Sequence, residues 1–302
     1  MSFNDDANLD TSQVTSGGRG KAGGVAIGGG IGGIVLVAIF TLLSGGSLTD
    51  VLGGAANGQF GTNNIQEGGS EELDFSQCKT GADANDNDTC RIIGTVNSVQ
   101  DYWTDALPAD IKRQYREATT VIYSGSTQSA CGTASSATGP FYCPSDERVY
   151  IDASFFDELS SKYGADGGAL AQEYVVAHEY GHHVQNILGI LGQAQNGSGA
   201  TGGSVRVELM ADCLAGVWAN HASSTQDDEG NALLEPLTRT DIKSALSAAA
   251  AVGDDRIQQA SGGTVNPEGW THGSSAQRER WFTTGYEEGN INSCDTLNAS
   301  QL

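Results

Sequence analysis

His178, Glu179 and His182 carry the most chemically specific spacing in this 302-residue chain: they form H-E-x-x-H. Histidines at i and i+4 of a helix lie one turn apart on one face, so both imidazoles can reach a single metal ion. The glutamate between them lies near that ion without being needed as a ligand. It can take a proton from a metal-bound water and pass it to a leaving amine. The chemistry on offer is metal-assisted hydrolysis, most often zinc-dependent and most often of peptide bonds. The whole chain holds only 5 histidines, which makes a chance match to this spacing rare.

Two histidines and a water leave a tetrahedral zinc one protein ligand short. One solution is a third histidine six residues beyond the second. That position is Leu188, and the glycine of the same pattern is replaced by Gln185. The other solution is a glutamate on a following helix. Glu208 and Asp212 stand four apart among Leu209, Met210, Leu214 and Val217. Carboxylates in such apolar company need a cationic partner. Glu208 is the expected third ligand. Asp212 is the expected acceptor for the free ring N–H of a zinc-bound histidine, His178, fixing its tautomer. An exposed acidic pair is the alternative.

The motif needs a helix, and residues 169–188 supply one without proline, with Gly189 as its stop. Gly181 inside it costs about 1 kcal/mol against alanine. Close approach of another backbone explains that cost; a tolerated surface glycine is the alternative.

Further blocks accompany these residues. They include Cys131-Gly132, Gly139-Pro140-Phe141-Tyr142-Cys143-Pro144, Val149-Tyr150-Ile151-Asp152, the stretch from Glu208 to Gly216, His272-Gly273, and Gln277-Arg278 before Arg280-Trp281-Phe282. Together with H-E-Y-G-H-H-V-Q they cover most of residues 90–290. The combination resembles the glutamate-zincin metallopeptidases and, more narrowly, a bacterial family of neutral zinc metallopeptidases with an N-terminal membrane anchor. The resemblance implies a zincin fold, one zinc ion and peptidase activity. It says little about substrate beyond a peptide or protein.

Two readings from other classes stay beside it. The fold could present a surface to an envelope partner, with zinc as a staple, although such a site has no use for Glu179. The same water chemistry would also serve an amidase acting on cell-wall peptides. His272 is a candidate oxyanion donor or a surface histidine. His183, about 100° round the helix from its neighbour, reads as structural or exposed.

Elements on either side must frame this site. Residues 96–107 and 111–119 read as helices split by Pro108, and 120–123 and 148–151 as strands. Residues 149–151 are a candidate edge strand for an extended substrate, or a core strand. Thr238 with Asp241, and Ser274 with Gln277, form helix-starting capping boxes. Trp281, Phe282 and Tyr286 read as core. Residues 83–88 lack the glycine and final glutamate of a calcium loop and read as a solvated acidic loop. The fold class is α+β and mostly helical.

Residues 23–44 hold no charge. About 20 such residues span a bilayer as a helix, more than the roughly 7–15 of a signal-peptide core. A cleaved leader ending near Ala55-Ala56 is the alternative. The expected organisation is a polar, disordered tail over 1–22, a transmembrane helix over 23–44, a flexible linker over 45–70, the metallopeptidase domain over 71–295 and a short tail over 296–302. Arg19 and Lys21 precede the span, and the next basic residue is Lys79. The positive-inside rule then places the N-terminus in the cytoplasm and the domain outside. Glycines at 24, 28 and 32 suggest a homodimer through the span.

All 6 cysteines follow the span. Spacing suggests Cys78 with Cys90 and Cys131 with Cys143, leaving Cys213 for Cys294, among the roughly 15 pairings open to six cysteines. No C-x-x-C spacing supports a cysteine-ligated zinc. A net charge of −22 argues against nucleic acid as a partner.

Overall fold

A computed structural model describes residues 2–17, 72–260, 262 and 264–302. The segments expected to be membrane span and linker lie outside these residues. No helix among the described residues is long and apolar enough to cross a membrane.

The strands are β1 (Val14–Ser16), β2 (Thr119–Tyr123), β3 (Ser126–Ser129), β4 (Gly132–Ser135), β5 (Phe141–Cys143) and β6 (Arg148–Asp152). Four of them form a sheet in the order β1-β2-β6-β5. The first three run parallel and β5 runs antiparallel to β6. Alternation sorts the two faces. Ile122, Val149 and Ile151 join the main core. Val121, Tyr123, Phe141 and Tyr150 form a smaller cluster on the other face with Ala134 of the β3–β4 hairpin. Residues 149–151 are therefore interior to the sheet. The edge opposite β1 is β5, because the chain turns back after β5 and lays β6 between it and β2.

The helices are α1 (Gly81–Asp86), α2 (Asp88–Ile111), α3 (Phe155–Ser161), α4 (Ala169–Leu188), α5 (Gly203–His221), α6 (Arg239–Ala251), α7 (Asp254–Ala260) and α8 (Ser275–Glu288). Both expected capping boxes are made, at Thr238 with Asp241 and at Ser274 with Gln277. Trp281 and Phe282 are buried. Helices α4, α5 and α8 share the main core with Trp103 of α2 and with Trp218. The fold is α+β.

Three local expectations need correction. Pro108 does not split a helix; it sits in the last turn of α2, where few bonds depend on it, and Lys112 in the left-handed region ends the helix instead. The acidic stretch after Thr80 is not a loop but α1, because Thr80 and Asp83 make a reciprocal cap. The expected terminal tails are packed. Phe3 and Val14 are buried and β1 pairs with β2, while Arg206 binds the carbonyls of Thr296, Leu297 and Ala299.

Three disulfides join Cys78 to Cys90, Cys131 to Cys143, and Cys213 to Cys294. The last ties α5 to the segment that follows α8.

Candidate metal centre

Helix α4 begins at Gly168 and ends at Gly189, whose φ of 73° is the left-handed turn that glycine takes without strain. Its middle carries His178, Glu179 and His182. Gly181 faces α5: a Cβ there would lie 3.0 Å from both Cα and the carbonyl oxygen of Ala211. The missing side chain lets the two helix backbones close together. That approach sets Glu208 of α5 over the two histidines.

The resulting donor set is compact. Glu208 Oε2 lies 3.2 Å from His178 Nε2, and Glu208 Oε1 lies 3.6 Å from His182 Nε2. A tetrahedral ion bonded at about 2.0–2.1 Å holds neighbouring donors about 3.4 Å apart. The ligand atoms of the three side chains all lie within 4.8 Å of one another, a spacing from which they can converge on such an ion. They are the group with metal-binding geometry found among the described residues. Two imidazoles and one carboxylate match zinc, and a fourth direction remains for water or substrate.

Each imidazole is fixed from behind. His178 Nδ1 lies 2.8 Å from Asp212 Oδ1. His182 Nδ1 lies 2.8 Å from Gln185 Oε1, and the Gln185 amide donates to the Val207 carbonyl. With Nδ1 engaged as donor in both rings, Nε2 is the free lone pair facing Glu208.

Asp212 is fully buried and heavily supported. Arg278 donates to both of its oxygens, from Nε at 2.9 Å and Nη2 at 2.8 Å. Tyr174 donates its hydroxyl to Oδ1 and accepts from Arg278. Burial alone would raise the Asp212 carboxyl, but the Arg278 and His178 charges win and hold it at about 2. Asp212 in turn makes His178 more basic: burial opposes the imidazolium, yet the carboxylate partners push the ring up to about 10. Burial also opposes the charge on Glu208, and His182 and His272 nonetheless keep its carboxyl well below the usual range.

Glu179 faces a different balance. Burial pushes its carboxyl up, and the neighbouring imidazoles offset only part of that. His183 is buried as a structural residue, with Nδ1 3.0 Å from the Tyr142 hydroxyl and Nε2 against the Arg116 carbonyl. Asn186 also donates to the Tyr142 hydroxyl. These contacts hold β5 beside α4.

His272 reaches this region from the loop before α8. Asp254 shapes that loop by accepting the backbone N–H groups of Thr271, His272 and Gly273. Its other oxygen lies 3.5 Å from His272 Nδ1. Gly273 has φ of 92°, a conformation that glycine supplies.

All four residues expected at the centre, His178, His182, Glu208 and Asp212, are brought together, with Glu179 beside them. Tyr174, Gln185, Arg278 and Asp254 support the centre without having been singled out for it in the sequence. Tyr174 and Gln185 had a signal, since i−4 and i+3 from the histidines share their helix face. Arg278 lies 66 residues from Asp212 and had none of that kind.

A family profile described as "Putative neutral zinc metallopeptidase" matches residues 3–297. An uncharacterized protein of Mycobacterium tuberculosis is 55% identical over 232 residues, covering 76% of this chain and 78% of its own length. The uncharacterized protein YpfJ of Escherichia coli K12 is 46% identical over 194 residues, covering 62% of this chain and 64% of its own. No solved structure matches.

Proposed function

This chain belongs to the putative neutral zinc metallopeptidase family, and from that premise we propose that it hydrolyses peptide bonds at the His178–His182–Glu208 centre. The observation that carries the reading is Glu179: a buried carboxylate between the two histidines that face Glu208, its carboxyl raised by burial. A purely structural metal site has no use for such a group.

A zinc ion held here would polarise a substrate carbonyl and acidify a water. Glu179 accepts the proton of the attacking water and returns it to the leaving nitrogen. A raised carboxyl is better matched to that exchange near neutral pH than an ordinary one. Asp212, backed by Arg278, keeps His178 in the tautomer that offers Nε2. His272, held beside Asp254 and Thr271, is the candidate for the second donor that a developing oxyanion requires. Strand β5 offers an edge along which an extended peptide can pair antiparallel. Three disulfides suit an oxidising compartment outside the cytoplasm.

The test is Glu179→Gln in the full chain, assayed on a mixed peptide library with metal content measured alongside. Hydrolysis should fall by about 10²-fold or more, the scale of general-base catalysis, with zinc still bound. Undiminished cleavage would remove Glu179 from the mechanism.

A further inference from the structure

The first residues of the chain are built into the domain whose metal centre is described above. Phe3 is 1% exposed, and its ring lies where a side chain on Gly94 of α2 would stand: a Cβ there would be 2.5 Å from the ring. Gly81 is likewise closed against the Asn4 carbonyl. Two glycines on separate helices thus make room for this arm. Its backbone is satisfied by the domain. Phe3 N–H donates to Asn85 and Asn4 N–H to the Leu233 carbonyl. Asp10 exchanges bonds with Asn97, and Gly17 N–H donates to Ile122. β1 completes one side of the sheet in register with β2. The family profile matches from residue 3, so its match takes in the arm as well as the domain.

These contacts constrain membrane topology. Residues 2–17 and 72–302 touch, so they occupy one compartment. A chain that crossed a bilayer once between residues 18 and 71 would separate them. The uncharged run of 23–44 is long enough for one crossing and not for two, since each needs about 20 residues. We propose that the N-terminal arm and the metallopeptidase domain lie on the same side of the membrane. It is the alternative to a cytoplasmic N-terminus opposite an outer domain. It stands whether or not the metal centre hydrolyses peptides.

The experiment places single reporter cysteines at exposed positions, Asp6→Cys in the arm and Gln301→Cys near the end, in separate full-length chains. Intact cells are labelled with a membrane-impermeant maleimide before and after permeabilisation. The proposal expects both reporters to behave alike, both labelled in intact cells or both only after permeabilisation. Labelling of one and protection of the other would overturn it. A second measurement checks the docking itself. Asn8 binds Asp227 directly, so Asn8→Cys with Asp227→Cys should give an intrachain crosslink, read by mass spectrometry of the full chain. Absence of that crosslink, or a crosslink only between chains, would overturn docking within one molecule.

Discussion

Asp212 is the residue on which the centre's electrostatics turn. A buried carboxylate is costly unless it is paired, and here it meets one guanidinium, one phenol and one imidazole. Asp212→Asn keeps the shape but removes the charge that supports both Arg278 and His178. Zinc affinity should drop by about 10–100-fold, the usual cost of losing such a partner. Competition with a chelator of known affinity measures it, and an unchanged affinity would remove Asp212 from the account. The pair Glu208 and Asp212 was legible from sequence because i and i+4 is a local relation. Arg278 was not, because only the packing of α8 on α5 brings it there. His272 was visible as a lone histidine, but its Asp254 support depends on a loop that spacing does not describe.

Two helices define the centre, and their separation is set by Gly181. In an isolated helix, alanine there would add about 1 kcal/mol of stability. In this fold its Cβ would meet the Ala211 backbone at 3.0 Å. Backbone atoms cannot swing aside as a flexible side chain can. Gly181→Ala should therefore destabilise the protein by about 1–3 kcal/mol, the cost of overpacking, and weaken zinc binding by moving Glu208. Thermal denaturation with and without zinc checks this; a more stable, fully metal-competent variant would contradict it. Helices with strong local signals, capping boxes at Thr238 and Ser274 and a glycine stop at Gly189, were readable from sequence. Strand order was not. The pattern of 148–152 reads equally as edge or interior, and only the pairing of β5 with β6 decides it.

At the scale of the whole molecule, pH acts on the buried charges of this centre with two opposite signs. Asp212 titrates at about 2, below its ordinary value, so its stabilisation is present above about pH 4 and lost as pH falls toward 2. Glu208 and Asp254, also held low, act in the same direction. His178 in chelator-treated protein is raised to about 10, so its contribution is full below about pH 6.5 and lost as pH rises toward 10. The chelated protein should lose melting temperature on both sides. Zinc should cancel the alkaline loss, because a bound cation replaces the proton on His178. Melting curves from pH 3 to about 10, with and without chelator, test the sign; identical alkaline limbs would refute it. The net charge of −22 and the cysteine spacings could be read before folding. The packed arm could not, since polar residues interspersed with Phe3 and Val14 look like a tail until Gly81 and Gly94 receive them.

Catalysis as proposed requires an open zinc site made by His178, His182 and Glu208. Anomalous diffraction at the zinc edge, from crystals of the zinc-supplied protein, tests it most directly. One peak is expected, bonded at about 2.0–2.2 Å to both Nε2 atoms and the Glu208 carboxylate, with no protein atom in the fourth position. A peak elsewhere, or one closed by a fourth side chain, would contradict a catalytic centre.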